Sequence, residues 1–231
     1  MKRRVLLNNE KHRTDVPYVE IGGVKWATTS LITDVRTGKN YFAEKPEDLG
    51  SVFQWGRRYG ASSTVTSSQS GQLSIAQGEN LSYANRLVGN PYSSSPGTYH
   101  YAWCSETGTS AYSKLWTPSK GEYDPCPDGW RVPTKDELNT LYSASYKLKG
   151  YKDGVFGYFF GKNSQDTMFV PFQPMEGWII GTLDASFVAI LSCTLGANNS
   201  HYLLDFMKGS NEMYLRTLYQ ATSGVIRAVK I

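Results

Sequence analysis

Histidine and cysteine are scarce, three of each in 231 residues, and that scarcity removes much chemistry at once. His12, His100 and His201 fall in a polar tail, an aromatic loop and a strand-like run, none with a partner at metal-ligand spacing. They read as ordinary imidazoles, and no metal or cofactor is expected. Cys104, Cys126 and Cys193 form at most one disulfide. Cys104 and Cys126 flank one loop and read equally as a disulfide or as two small buried thiols, while Cys193, in an apolar run without a neighbouring histidine, reads as buried rather than nucleophilic. There is no G-x-S-x-G elbow, P-loop or glycine-rich dinucleotide turn. The adjacent acids Glu47-Asp48 and Asp136-Glu137 suit helix starts, where negative side chains meet the helix dipole, better than acid–base catalysis. The expected protein is not an enzyme.

Charge of one sign is lacking too. The net charge of +4 belongs entirely to residues 1–13, where Lys2, Arg3, Arg4, Lys11 and Arg13 face Glu10; the remainder is balanced. A neutral body has no basic face to replace phosphate counterions, so nucleic acid is not an expected partner. No run approaches the roughly 20 apolar residues of a membrane span, so no membrane insertion is expected. Behind the charged start only Val5-Leu6-Leu7 is apolar, too short for a secretory core, and no signal peptide is visible.

Aromatic residues and loop formers are plentiful: 16 Tyr, 6 Trp and 9 Phe stand beside 22 Gly and 10 Pro. Aromatics suit pleated surfaces and Gly and Pro interrupt helices, which predicts short strands and many loops. Residues 1–15 read as a basic polar tail that need not pack, and 16–231 as a single domain with a Ser/Gly-rich loop region at about 61–98. Gly22-Gly23 predicts a tight hairpin turn within residues 18–31. Glu47-Asp48-Leu49 is expected to open a short helical turn, and Val52 to Gly56 to be buried. One helix is clearly signalled: Thr134, three residues before Glu137, forms a capping box, and Leu138, Leu141, Tyr142 and Ser145 carry helical spacing to about Tyr146. Short β runs follow at 156–160, 168–172, 177–180, 187–193, 202–206 and 223–229.

At DPCPDGWRVPTKDELNTL (124–141) the sequence resembles the Fibrobacter succinogenes major paralogous domain, a family common in Bacteroidetes with a C-type-lectin-like fold. Supporting pieces keep the family's order: IGGVKWATTSL (21–31), Gln54-Trp55-Gly56-Arg57, FVPFQPMEGW (169–178) and the closing SGVIRAVKI (223–231). The resemblance, over roughly 18–231, implies an α+β fold of short antiparallel strands, one or two helices and long irregular loops, with the chain ends meeting in one sheet. It also implies a surface protein that binds a ligand, at a cell surface or on a virion. Calcium-dependent sugar binding is not implied, because Gln173-Pro174 is followed by Met175 and no Trp-Asn-Asp run exists.

Where the family has an aromatic "YWSS" run, this chain has Ala189-Ile190-Leu191-Ser192-Cys193. From Asp184 to Phe206 there is no Lys, Glu, Gln, Met or Trp, and every residue type present has a codon ending in C or T. Adenine-directed diversification by a retroelement leaves that footprint; so does a buried β stretch that avoids long polar side chains. The expectation is a non-catalytic receptor-binding or adhesion protein, its ligand a protein or glycan on another cell or surface. The candidate contacts are Trp178, Ile179, Ile180, Phe187, Ile190, Leu191, Asn198, Asn199, His201, Tyr202, Tyr214, Arg216 and Tyr219; strand alternation places some of them in the core. A structural subunit of a fimbria or virion is the alternative. A formylglycine-generating-type enzyme, of the same fold, is a further one, although none of the three cysteines matches its cysteine pair.

Overall fold

The computed structural model describes residues 12–65, 71–88, 102–173, 175–176, 183–184, 187–197 and 200–231. Strands β1 (Tyr18–Ile21) and β2 (Val24–Ala27) form the expected hairpin. Its turn residues Gly22 and Gly23 have φ of +59° and +80°, the left-handed pair that a two-residue turn of this hand requires. A side chain at Gly22 would also lie 2.8 Å from Cβ of Thr140. Strands β3 (Leu31–Asp34) and β4 (Lys39–Phe42) make a second hairpin, followed by β5 (Phe53–Gln54), the single-turn helix α1 (Ile75–Gly78) and β6 (Trp130–Arg131). Helix α2 (Lys135–Tyr142) leads into a sheet of β7 (Tyr146–Lys152), β8 (Val155–Gly161) and β9 (Thr167–Pro171). After the short pair β10 (Met175–Glu176) and β11 (Leu183–Asp184) comes the sheet of β12 (Phe187–Leu195), β13 (Ser200–Met207) and β14 (Met213–Tyr219). The chain closes with β15 (Ser223–Gly224), paired to β5, and β16 (Val229–Lys230). All these strand pairings are antiparallel, and with the helices they make an α+β architecture.

Strand β16 lies between β2 and β6, so the first hairpin and the last strand share one sheet. The tail expectation needs correction at its inner end. Arg13 bridges to Phe42, and the Asp15 carboxylate accepts from Trp130 Nε1 at 3.0 Å and Lys230 Nζ at 3.3 Å. Residues 12–15 are therefore tied to the body by hydrogen bonds, with Arg13, Thr14 and Asp15 still exposed, and 1–11 lie outside the described residues.

The segment before α2 is held by a short polar network. One Asp124 oxygen accepts from Cys126 N and the other from Val132 N, each at 2.9 Å, while Lys120 Nζ donates to the carbonyls of Cys126 and Trp130. Trp130 and Val132 enter the core, and Arg131 grips Glu137 with two nitrogens. Glu137 is also the returning carboxylate of the Thr134 capping box, so the helix start is tied to the strand before it. Helix α2 ends at Tyr142, four residues short of the expected Tyr146, because Tyr146 begins the pairing with Gly161 and only Leu138 and Leu141 are buried. Residues 47–49 form a turn closed by Lys45 N on Asp48 Oδ2, not the expected helix start. The sequence reading did not expect strands β7 and β14: the Tyr-Lys-Leu-Lys alternation of β7 stops at Gly150, and β14 carries no alternation; the run 223–229 resolves into two short strands.

The irregular middle of the chain is anchored rather than loose. Trp55, Trp103 and Trp116 are fully buried, with ring centroids of Trp55 and Tyr112 at 5.2 Å and of Trp55 and Trp116 at 5.9 Å. Such pairs add stabilisation beyond their area. Leu73, Leu87 and Val88, inside the Ser/Gly-rich stretch, are buried too, so that region is not wholly surface. Gln54 and Arg57 hold its backbone: the Gln54 amide meets Val88 N and O and Ala221 O, and Arg57 donates to Tyr83 O and Arg86 O. Arg227, wholly buried, donates to Phe169 O and ties the last segment to β9.

Candidate binding surface

The pleat of β12–β13–β14 sorts the candidate contacts. Residues opposite each other on antiparallel strands share a face. Register therefore places Phe187, Leu191, His201, Tyr214 and Arg216 on one face, and Ile190, Tyr202 and Tyr219 on the other. Phe187, Ile190, Leu191 and His201 are buried, which corrects their assignment as contacts. The reason is that the sheet is packed on both sides and along one edge. Phe206 meets the rings of Tyr158, Phe160 and Phe172, and Leu191 N donates to Val225 O beyond the edge of β12. Trp178, Ile179, Ile180, Asn198 and Asn199 lie outside the described residues.

Tyr202, Tyr214, Arg216 and Tyr219 reach the surface at least in part. Tyr214 is 37% exposed, with the Arg216 guanidinium 4.9 Å from its ring centroid. That guanidinium is committed to the buried Asp205, Nε donating to Oδ1 at 3.2 Å and Nη2 to Oδ2. Burial raises the Asp205 pKa while Arg216 opposes the rise. On the other face Tyr202 lies under Lys135 Nζ, 4.6 Å from the ring centroid, and opposite Thr217.

At the end of this sheet is a cleft of about 310 Å³. It is lined by Leu195 at the end of β12, Gly196 after it, Gln220 after β14, and Gly108, Thr109, Ser110, Tyr112 and Ser113. The side chains lining it belong to Thr109, Ser110, Ser113, Gln220, Leu195 and the nearly buried Tyr112; among the described residues no carboxylate, ammonium or imidazole lines it. Thr109 and Ser113 donate to the local carbonyls of Glu106 and Ser110, and Thr109 Oγ1 also accepts from Tyr112 N at 3.2 Å, so each hydroxyl keeps accepting capacity but Thr109 only one lone pair of it. Gln220 is buried, with Oε1 accepting from Thr107 at 3.1 Å and Nε2 held only by a long 3.5 Å contact to Ser200 O. Gly196 permits the close approach, since a side chain there would lie 2.4 Å from Ser200 Oγ and 2.8 Å from Thr217 Cγ2. Thr217 joins Gly196 to Tyr202. The sequence reading missed Thr109, Ser110, Ser113 and Gln220; the one local signal was the run of small polar residues from 107 to 113 between the aromatic residues 103 and 116.

Burial also bears on the restricted composition of 184–206. Val188 to Leu191, Cys193, Leu203, Leu204 and Phe206 are all interior, where long polar side chains are disfavoured whatever the codons. The three cysteines are free and buried, so Cys104 and Cys126 are not joined. Burial pushes the Cys104 and Cys193 thiols up to about 12 and raises Cys126 well above its ordinary value. Folded protein at pH 7.5 is therefore expected to resist a maleimide probe until denaturant is added; rapid labelling of Cys193 without denaturant would contradict this burial. Gln173, at the position compared with lectin calcium ligands, exchanges hydrogen bonds of 3.0 Å with both N and O of Gly50. Among the described residues no three His, Cys, Asp or Glu side chains gather to hold a metal, and no helix is long and apolar enough to cross a membrane.

Compared with protein-family models, with curated proteins and with solved structures, the chain matches none.

Proposed function

We propose that this chain is a non-catalytic ligand-binding protein of C-type-lectin-like fold, acting in adhesion or receptor binding at a cell or virion surface, and that it takes a neutral, hydroxyl-rich ligand such as a glycan. The observation that carries the reading is the cleft of about 310 Å³ between Gly108–Ser113, Leu195–Gly196 and Gln220. Hydroxyl and amide groups beside the apolar Leu195 match a sugar's polar rim and C–H surface, and a described lining free of charge disfavours ions. The fold assignment draws support from β16 lying between β2 and β6, which brings the two chain ends into one sheet, and from the anchored irregular region between β5 and β6. A retroelement-diversified version rests on the composition of 184–206 alone, for which burial is already sufficient cause. A near-repeat of the gene's 3′ end, altered only at adenines and beside a reverse transcriptase, is its test.

Ser113→Tyr fills the cleft from an exposed position without entering the core. Neutral mono- and disaccharides are expected to give saturation-transfer signals with the native chain and to lose them with S113Y, at an unchanged unfolding midpoint. Sugar binding that survives S113Y, or no neutral sugar bound at all, overturns the reading.

A further inference from the structure

Strand β7 is the outer strand of the β7–β8–β9 sheet, seven residues long, and its far side has no strand partner among the described residues. Such an edge presents a row of N–H and C=O groups, a template for another chain. Its side chains are distinctive: Lys147, Lys149 and Lys152 alternate with Leu148, 51% exposed, and Tyr151, 73% exposed. Lys208 joins them through space, its Nζ 5.9 Å from the centroid of Phe156, which itself stacks at 5.1 Å against Tyr151. Lys149 Nζ donates to Met207 O at 2.6 Å and fixes the 207–208 turn beside the strand. Four ammonium groups thus border one edge; Lys152 lies 3.9 Å from Asp153, and of the acids near Lys208 in sequence Asp205 is already paired with Arg216. In a body whose charges balance as a whole, this face is locally positive.

We propose that the β7 edge docks an extended acidic segment of a partner polypeptide as an added strand. The charge pattern selects that occupant. A second copy laid along the same edge would set lysine against lysine, a like-charge pairing that is destabilising across strands. An acidic strand converts each of those repulsions into attraction. The register of β7 against β8 also places Lys147, Lys149 and Tyr151 on one face and Leu148 and Lys152 on the other. A complementary strand therefore carries carboxylates at alternate positions opposite Lys147 and Lys149, with aliphatic residues between them opposite Leu148. This site is separate from the cleft at Gly108–Ser113 and does not depend on the glycan reading.

The probe is a fluorescein-labelled decapeptide of alternating Glu and Val, followed by fluorescence anisotropy. Its Lys/Val counterpart and a block peptide of five Glu then five Val are controls. The alternating acidic peptide is expected to bind, to weaken as salt is raised, and to bind roughly tenfold less tightly to the double variant Lys147→Glu/Lys149→Glu. Tyr151→Ser is expected to weaken it as well, and the block peptide to bind less well than the alternating one. Two further peptides carry N-methyl groups on alternate residues, one set on the odd and one on the even positions. Strand addition requires that one set abolish binding while the other is tolerated. Equal binding by both N-methylated peptides would leave only charge attraction and overturn the proposal. So would unchanged affinity in the double variant, or capture of a sulfated polysaccharide with no binding of the acidic peptide.

Discussion

Gln54→Leu is expected to lower stability by roughly 3 kcal/mol or more, because three backbone groups lose their partners together and each stranded group costs on the order of 1–3 kcal/mol. Gln54 is fully buried; its Nε2 donates to Val88 O at 2.7 Å and to Ala221 O at 2.6 Å, and its Oε1 accepts from Val88 N at 3.0 Å. Leucine fills the same space and satisfies none of them. Since Ala221 follows the cleft residue Gln220, the variant is also expected to weaken ligand binding before it unfolds, and the amide of Val88 to exchange faster. Urea unfolding followed by fluorescence reads the first effect and hydrogen exchange the last. A stability within about 1 kcal/mol of the native chain would mean that these groups find other partners.

His201→Leu has the opposite sign. The imidazole is fully buried between Leu195 and Leu218 on neighbouring strands, neither ring nitrogen has a hydrogen-bond partner among the described residues, and burial pushes its pKa down to about 3. An unfolded histidine titrates near 6.5. Between those values the unfolded chain binds a proton that the native chain does not, so this contribution is whole above pH 6.5. It falls by about 1.4 kcal/mol per unit as pH drops toward 3. His201→Leu removes that slope and the two stranded nitrogens. It is expected to gain on the order of 1–3 kcal/mol at pH 7 and about 2 kcal/mol more at pH 5. Urea midpoints of both chains at the two pH values isolate the difference, since the other titrating groups are common to both. Equal pH dependence in the two chains would show that the imidazole is protonated, and therefore partnered, in the native state.

Features set by neighbours in the chain could be read from sequence. Gly22-Gly23 and the Thr134–Glu137 capping box are complete within four residues each, and both stand where expected. The register of β12–β14 was not legible because that sheet is packed on both faces. Its central strands therefore read as continuous apolar runs without the alternation that marks an outside. Ile190 and Leu191, adjacent and both buried, show the consequence. The helix end at Tyr142 was hidden by tertiary pairing: Ser145 continues the helical spacing, yet Tyr146 is drawn across to Gly161. The cleft was least visible of all. Thr109, Ser113, Gly196 and Gln220 come from three separate segments, and small polar residues leave no periodic trace.

The placement of β16 also constrains how the protein comes into being. On one side Trp26 of β2 pairs with Val19 of β1, but on its other side its partner is Val229, and β6 pairs only with Val229 and Lys230, some hundred residues later. During synthesis the inner edge of the first hairpin and the whole of β6 must wait, unpaired, until Val229 and Lys230 leave the ribosome. The sheet they complete therefore closes only after the residues of every other sheet described have been made. High contact order of this kind slows folding and leaves strand edges open to wrong pairings meanwhile. Nascent chains halted a few residues before Val229 should therefore be the most dependent on chaperones, although nearly the whole of the cleft and both larger sheets would already have been made.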